Sequence, residues 1–333
     1  LRPRGRNPHL PLHLAGRGKA GMVASVPYLD GERLRKLLPP LEAQRVVQSF
    51  FTERRREDVA APPRIHMQVP GSSRSGLYMP AATDSFIAVK FVHRAPERQP
   101  LLSGDVFLYD AANGRLLLTV DAGPFTALRT AAVTAAATCH LRPRSRRLLV
   151  FGAGVQAASH LAAFSAAWPE LEAIHVVTRT EGAYRRLLEN LSASLAGRVK
   201  RCTDTGSELA RADCIVAASA ATAPLFHWGD VPQTCHISAI GSAVPAKQEL
   251  PPEAFLECRS WVDTPVALQE SGDCLAALKA GWSAQRLEGD LFDLLESAPG
   301  SAGRGRTLFK GVGEAAQDLA VMMGLWRRLQ GKG

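Results

Sequence analysis

At 333 residues the chain exceeds one average domain, and 46% hydrophobic with 21% charged content suits a globular protein able to bury a sizeable core. The formal charge is +9, but residues 1–21 hold Arg2, Arg4, Arg6, Arg17 and Lys19 and no acid, leaving a body of only about +4. So dilute a surplus argues against a nucleic-acid face and suits small anions such as phosphates and carboxylates.

Residues 1–21 combine Pro, Gly and Arg without apolar periodicity and without the apolar stretch of a secretory leader, and they read as an extension ahead of a start at Met22. From Val26 to Leu41 a short helix is expected through Leu34, Leu37 and Leu38. "LEAQRVVQSFFTERRRE" follows with Leu41, Val46, Val47, Phe50 and Phe51 at helical spacing. Residues 64–120 change character: "RIHMQV", "GLYMPAAT", "SFIAVKFV" and "DVFLYDAANGRLLLTVD" alternate and are rich in aromatic and β-branched residues. Asn113-Gly114 marks a hairpin, so this segment predicts a mixed or antiparallel sheet.

"GPFTALRTAAVTAAATCHL" then predicts a helix with a proline near its start. Between Arg147 and Val262 short apolar runs ("RLLVFG", "AIHVVT", "RVKRC", "DCIVAAS", "TCHISAIG", "RSWVDT") alternate with helical stretches. That rhythm predicts βαβ units on a parallel sheet. The final segment, "GEAAQDLAVMMGLWRRL", carries Leu319, Met322, Met323 and Trp326 on a helix that packs back on the first domain.

The run Leu148–Pro169 is uncharged over 22 residues, the length of a membrane span, but Gly152, Gly154, Gln156, Ser159, His160 and Ser165 dilute its apolarity. A strand-to-helix turn of the form GxGxxA explains it better: Gly152-Ala153-Gly154-Val155-Gln156-Ala157. Gly152 permits the tight turn, Gly154 lets backbone approach a pyrophosphate, and Ala157 lets helix and strand close up. The N–H groups at the helix start then hold phosphate. Nicotinamide-binding sites that prefer NAD end their second strand in an acid; here Thr178-Arg179-Thr180 stands there. Arg179 favours NADPH with NADH possible, the alternative being an exposed loop arginine.

The six cysteines form no CxxC pair and no zinc spacing with histidine, so reduced thiols of a cytoplasmic protein and no metal are expected. The scattered histidines, His160 and His236 among them, read as structural. There is no GxSxG and no HExxH.

"PPRIHMQVP", "AVKFV", "LRTAAVTAAAT", "FGAGVQAASH", "TRT", "ISAIGSAVPAKQEL", "QESGDC" and "FKGVGEAAQD", in that order between Arg64 and Asp318, resemble the ornithine cyclodeaminase/mu-crystallin family. The resemblance implies a homodimer with a Rossmann-type doubly wound parallel-sheet domain (131–304). A mixed-sheet α+β dimerisation and substrate domain would come from 22–130 with 305–333. It implies Arg64 and Arg129 as carboxylate ligands and Lys90 beside the reacting centre. For the cofactor it implies Arg129, Thr130, Gly152, Ala153, Gly154, Val155, Gln156, Thr178, Arg179, Thr180, Ser219, Thr222 and Val312. Taken alone, Lys90 on its apolar strand is either desolvated or ion-paired, and Arg129 is either a ligand or a structural partner.

One departure matters. Family members that work on free amines present an aspartate after "A-V-G", where this chain reads Ile240-Gly241-Ser242-Ala243. Ala243 cannot hold a cationic amine, so the resemblance implies a reductase of cyclic ketimine carboxylates. A cyclodeaminase or amino-acid dehydrogenase is the alternative, and an NADPH-dependent binding protein a further one. Asp273 and Asp318 read equally as caps, supports or catalytic groups. The expected partner is a small imino or amino acid, with no nucleic acid and no membrane.

Overall fold

The computed structural model describes residues 25–97, 102–300, 303 and 305–331; the extension expected over residues 1–21 lies outside them. The first six strands are β1 (Tyr28–Leu29), β2 (Ile65–Gln68), β3 (Ser75–Ala82), β4 (Phe86–Arg94), β5 (Leu102–Asp110) and β6 (Leu116–Asp121). They form a sheet in the order β1-β6-β5-β4-β3-β2, antiparallel except for the parallel pair β1-β6. The β5-β6 hairpin turns where Asn113-Gly114 predicts. Gly114 has φ +70°, and the side-chain Oδ1 of Asn113 accepts from Arg115 N at 2.9 Å.

Period-two alternation sorts this sheet into two faces. Met79, Lys90, Val106 and Val120 lie in register on the inner face, under the helices Ala122–Leu141 and Ala315–Leu329. The outer face carries Ile65, Tyr78, Phe91, Val89 and Phe107; Ile65 and Met67 are exposed, and Tyr78 stacks on Phe91 at 4.7 Å between centroids.

The second sheet is built from β7 (Arg147–Phe151), β8 (Ala173–Val177), β9 (Val199–Arg201), β10 (Cys214–Ala217), β11 (His236–Ala239), β12 (Arg259–Val262), β13 (Leu287–Gly289) and β14 (Thr307–Lys310). All its pairings are parallel, in the order β13-β12-β14-β11-β10-β7-β8-β9. Separate apolar cores cover its two faces, one around Phe164, Trp168 and Val216, the other around Ile237, Phe255 and Leu308. The order reverses between β7 and β10, the switch point at whose strand ends α/β sheets bind ligands.

Two expected boundaries shift. "TLFK" forms β14 in the centre of the parallel sheet, so the return to the first lobe comes after Lys310 and not at residue 305. Its four residues are buried on both faces and carry no alternation to mark them. The helix Ala122–Leu141 runs across the expected division at 130/131 and packs on elements of both lobes. Its alanines are buried around the whole circumference, which is what a helix enclosed on all sides requires. Among the described residues no helix is long and apolar enough to cross a membrane.

Candidate functional site

A cleft of about 1990 Å³ lies between the sheets, above the ends of β7, β8, β10 and β11. On its Rossmann side the chain leaves β7 through Gly152, whose φ is +126° and whose missing Cβ would collide with the Ala218 carbonyl oxygen after β10. A side chain is therefore barred there by backbone conformation and by packing. Gly154 differs: a Cβ on it would meet nothing within 4 Å. It starts the helix Val155–Ala167 with no side chain capping the first N–H groups. Beside it Val155 is 68% exposed, although apolar, and lines the cleft. Uncapped amides, an open approach and a bare apolar residue fit the pyrophosphate of a dinucleotide. Ala157 is fully buried against the sheet.

No acid follows β8. Arg179 is exposed and lines the cleft between Thr178 and Thr180, with Arg186 nearby on the same wall. Glu181, the first carboxylate after the strand, is occupied by Arg185 at 3.3 Å and Arg201 at 3.2 Å.

The opposite wall holds a buried charge cluster. Lys90 Nζ meets Asp318 at 2.8 Å and 3.0 Å, and Arg129 Nε meets the same carboxylate at 2.7 Å. Arg129 Nη1 donates to Gln317 Oε1 at 2.9 Å, and Gln317 Nε2 donates to Asp263 at 3.0 Å. Asp263, just past β12, also accepts from Val312 N at 3.0 Å and Gly313 N at 2.6 Å. Arg64 closes the cluster: its Nε lies 3.3 Å from Glu270, and its Nη2 donates to the carbonyls of Val312 and Gly313. Gly313 has φ +86°, and a Cβ there would stand 2.8 Å from Arg129 Nη1.

Burial pushes the Lys90 ammonium down to about 7 from its usual 10.5. The charges of Arg129 and Arg64 add to that fall, and Asp318 opposes it. Among the described residues, Arg64 Nη1 and Arg129 Nη2 keep no protein partner, so donors remain for an incoming carboxylate.

The residues expected at the site line this one cleft, with one exception. Thr222 does not: its backbone pairs with Gln248 and its residue is exposed outside the cleft wall. The loop after Ser219 is drawn toward residue 248 instead. Sequence reasoning left Asp318 open and missed Gln317, Asp263 and Glu270. A signal existed, since Gln317-Asp318 is a polar pair in a helix whose neighbours are all apolar or small. His160 is pushed down by burial to about 4 and bonds the Gln156 carbonyl. His236 is buried among Thr138, Ser238 and Thr307. Neither histidine lines the cleft. Among the described residues no group of His, Cys, Asp or Glu is arranged to hold a metal ion.

Fold and site define a two-lobed α/β protein in which a dinucleotide-type glycine turn faces a buried cationic cluster. The model of the ornithine cyclodeaminase/mu-crystallin family matches residues 34–333, and the chain belongs to that family. It is 31% identical to the ketimine reductase mu-crystallin of Rattus norvegicus over 295 residues, 86% of this chain and 89% of that one. It is 26% identical to a Delta(1)-pyrroline-2-carboxylate reductase of Bacillus cereus over 299 residues, 86% of this chain and 90% of the relative. Among solved structures, the Thermococcus litoralis Delta(1)-pyrroline-2-carboxylate reductase in complex with NADH and L-proline is similar in fold. Its TM-score is 0.81 at 24% identity, covering 92% of this chain and 98% of the other.

The two glycines separate folding from binding. Gly154→Val is expected to keep the wild-type melting temperature while losing the stabilisation expected from an added nicotinamide dinucleotide. Gly152→Val is expected to lower the melting temperature without any ligand. Thermal melts with and without NADH or NADPH check both, and a Gly154→Val protein stabilised by either to the wild-type extent refutes the assignment.

Proposed function

We propose that the chain is a nicotinamide-dependent imine reductase acting on a cyclic ketimine carboxylate, Δ1-pyrroline-2-carboxylate or Δ1-piperideine-2-carboxylate, with NADPH preferred over NADH. The observation that carries the reading is the convergence of Arg64, Lys90 and Arg129 on one wall of the cleft that holds the glycine turn. Those three cations stand among the carboxylates of Glu270, Asp318 and Asp263, so the wall offers an incoming carboxylate directed N–H donors and not a net charge. Ala243 lines the cleft where an amine-handling aspartate would be needed for deamination. The arginines without an acid after β8 support the 2′-phosphate of NADPH.

When bound, the dihydronicotinamide supplies a hydride to the imine carbon. Arg64 and Arg129 fix the carboxylate through their free nitrogens, which sets the face that the carbon presents. Lys90 gives a proton to the imine nitrogen, so the C=N bond becomes CH–NH and Lys90 is left as the neutral amine. Its lowered proton affinity suits that transfer near neutral pH. Thr130, Gly152, Ala153, Gly154, Val155, Gln156 and Ser219 would hold the cofactor, with Val312 on the facing wall. The six unpaired cysteines support a reducing, cytoplasmic setting.

The apolar outer face of the six-stranded sheet supports a homodimer, because a second copy of this chain would cover Ile65, Met67, Tyr78, Phe91 and Phe107 together.

Three measurements test the proposal. NADPH absorbance is expected to fall with either cyclic imine, faster than with NADH; no turnover of either, together with ammonia release from ornithine, would reverse the assignment. Lys90 holds its proton below about 7 and loses it above, so the rate is expected to decline on the alkaline side with a midpoint of about 7. Asp318→Asn removes the charge that raises Lys90 and should move that limb to lower pH; an unmoved limb excludes Lys90 as proton donor. Light scattering is expected to give twice the chain mass and Phe91→Asp a monomer, whereas a monomeric wild type rejects the dimer.

A further inference from the structure

Outside the cationic cluster, one buried carboxylate joins the two loops that face the nicotinamide half of the cleft. Glu249 is fully buried, and its oxygens accept from Ser219 N at 2.6 Å and Gly241 N at 2.7 Å. Ser219 follows β10, which borders the switch point, and Gly241 follows β11, the strand next to it. Both loops line the cleft, through Ser219, Ala220 and Ala221 on one side and Ile240, Ala243 and Val244 on the other. A Cβ on Gly241 would come within 2.5 Å of Glu249 Oε1, so glycine lets the carboxylate reach both loops.

Glu249 is itself held from behind. Its N–H donates to Asp273 Oδ1 at 2.7 Å, as does Leu250 N at 2.9 Å, and Asp273 Oδ2 lies 3.2 Å from Lys310 Nζ. Lys310 ends β14, in register with Ala239 of β11 and Val262 of β12, and its positive charge offsets part of the burial that pushes the Glu249 carboxyl up. Neither Glu249, Asp273 nor Lys310 lines the cleft. Three fully enclosed charged side chains are costly unless their geometry is maintained, and the geometry they maintain is the spacing between two loops.

We infer that Glu249 is a positioning residue for the nicotinamide ring, bridging the loops after β10 and β11 so that their backbones keep one separation beneath it. The inference rests on the nicotinamide reading above. The adenylate half of the cofactor depends on the glycine turn and on the Thr178–Thr180 segment, which Glu249 does not touch. Losing the bridge should therefore weaken the two halves unequally.

Calorimetric titration of the full chain with NADPH and with 2′-phospho-ADP-ribose, which lacks the ring, tests this. In Glu249→Gln one oxygen becomes an amide donor facing a backbone N–H, and the Kd for NADPH is expected to rise about tenfold while that for 2′-phospho-ADP-ribose stays. Glu249→Asp keeps the charge beside Lys310 but is one methylene short of spanning both loops. It is expected to show the same split, and it carries the test if the Gln variant fails to fold. Equal losses for both ligands, or no loss for either, overturn the bridge alone. A wild type that binds no NADPH overturns the nicotinamide reading and the bridge with it.

Discussion

The buried carboxylate of Asp318 is the contact on which the rest of the site depends. It belongs to the C-terminal helix and binds Arg129 of the long central helix and Lys90 of β4, so one side chain ties three distant segments together. Without it two cations would face each other in a dry interior, a change that costs about 3–5 kcal/mol when one partner of a buried pair is removed. The same contact keeps Lys90 from losing its proton entirely, since burial and Arg129 both drive the proton off. Structural support and proton affinity are thus set by one group.

From Asp318 the polar contacts continue across the lobes. Gln317 passes from Arg129 to Asp263, and Asp263 fixes the Val312–Gly313 turn whose carbonyls hold Arg64. Asp263 stands at the end of a parallel-sheet strand and Lys90 on the mixed sheet, so the cluster is a seam between the two lobes. The cations are already paired with protein anions and oriented by them. Each arginine keeps only one nitrogen for a ligand, which narrows the directions from which a carboxylate can approach.

Much of this was legible in the chain. The strand-rich segment 64–120, the hairpin at Asn113-Gly114 and the GxGxxA turn each rest on local periodicity or a local backbone demand, and the structure places them as read. β14 was not legible, because four residues all buried, only two of them apolar, carry no alternation that tells strand from loop. Thr222 was expected at the site from the family resemblance of its segment, but the chain pairs it with Gln248 outside the cleft lining. Glu270 and Asp263 could not be assigned because their partners lie far along the chain: Arg64 for one, Gln317 and the Val312–Gly313 turn for the other.

By itself the sequence determined the two sheet types, the glycine turn at the end of β7, the absence of an acid after β8 and the alanine at position 243. Each of these is a property of neighbouring residues, where side-chain volume, φ and period act directly. Only the tertiary structure decided which carboxylates face Lys90, Arg129 and Arg64, that Lys90 is driven toward neutrality, and that Glu249 joins two loops. Charges act through space over a few ångströms, and which charges come that close depends on how three remote segments pack, a matter on which local pattern is silent.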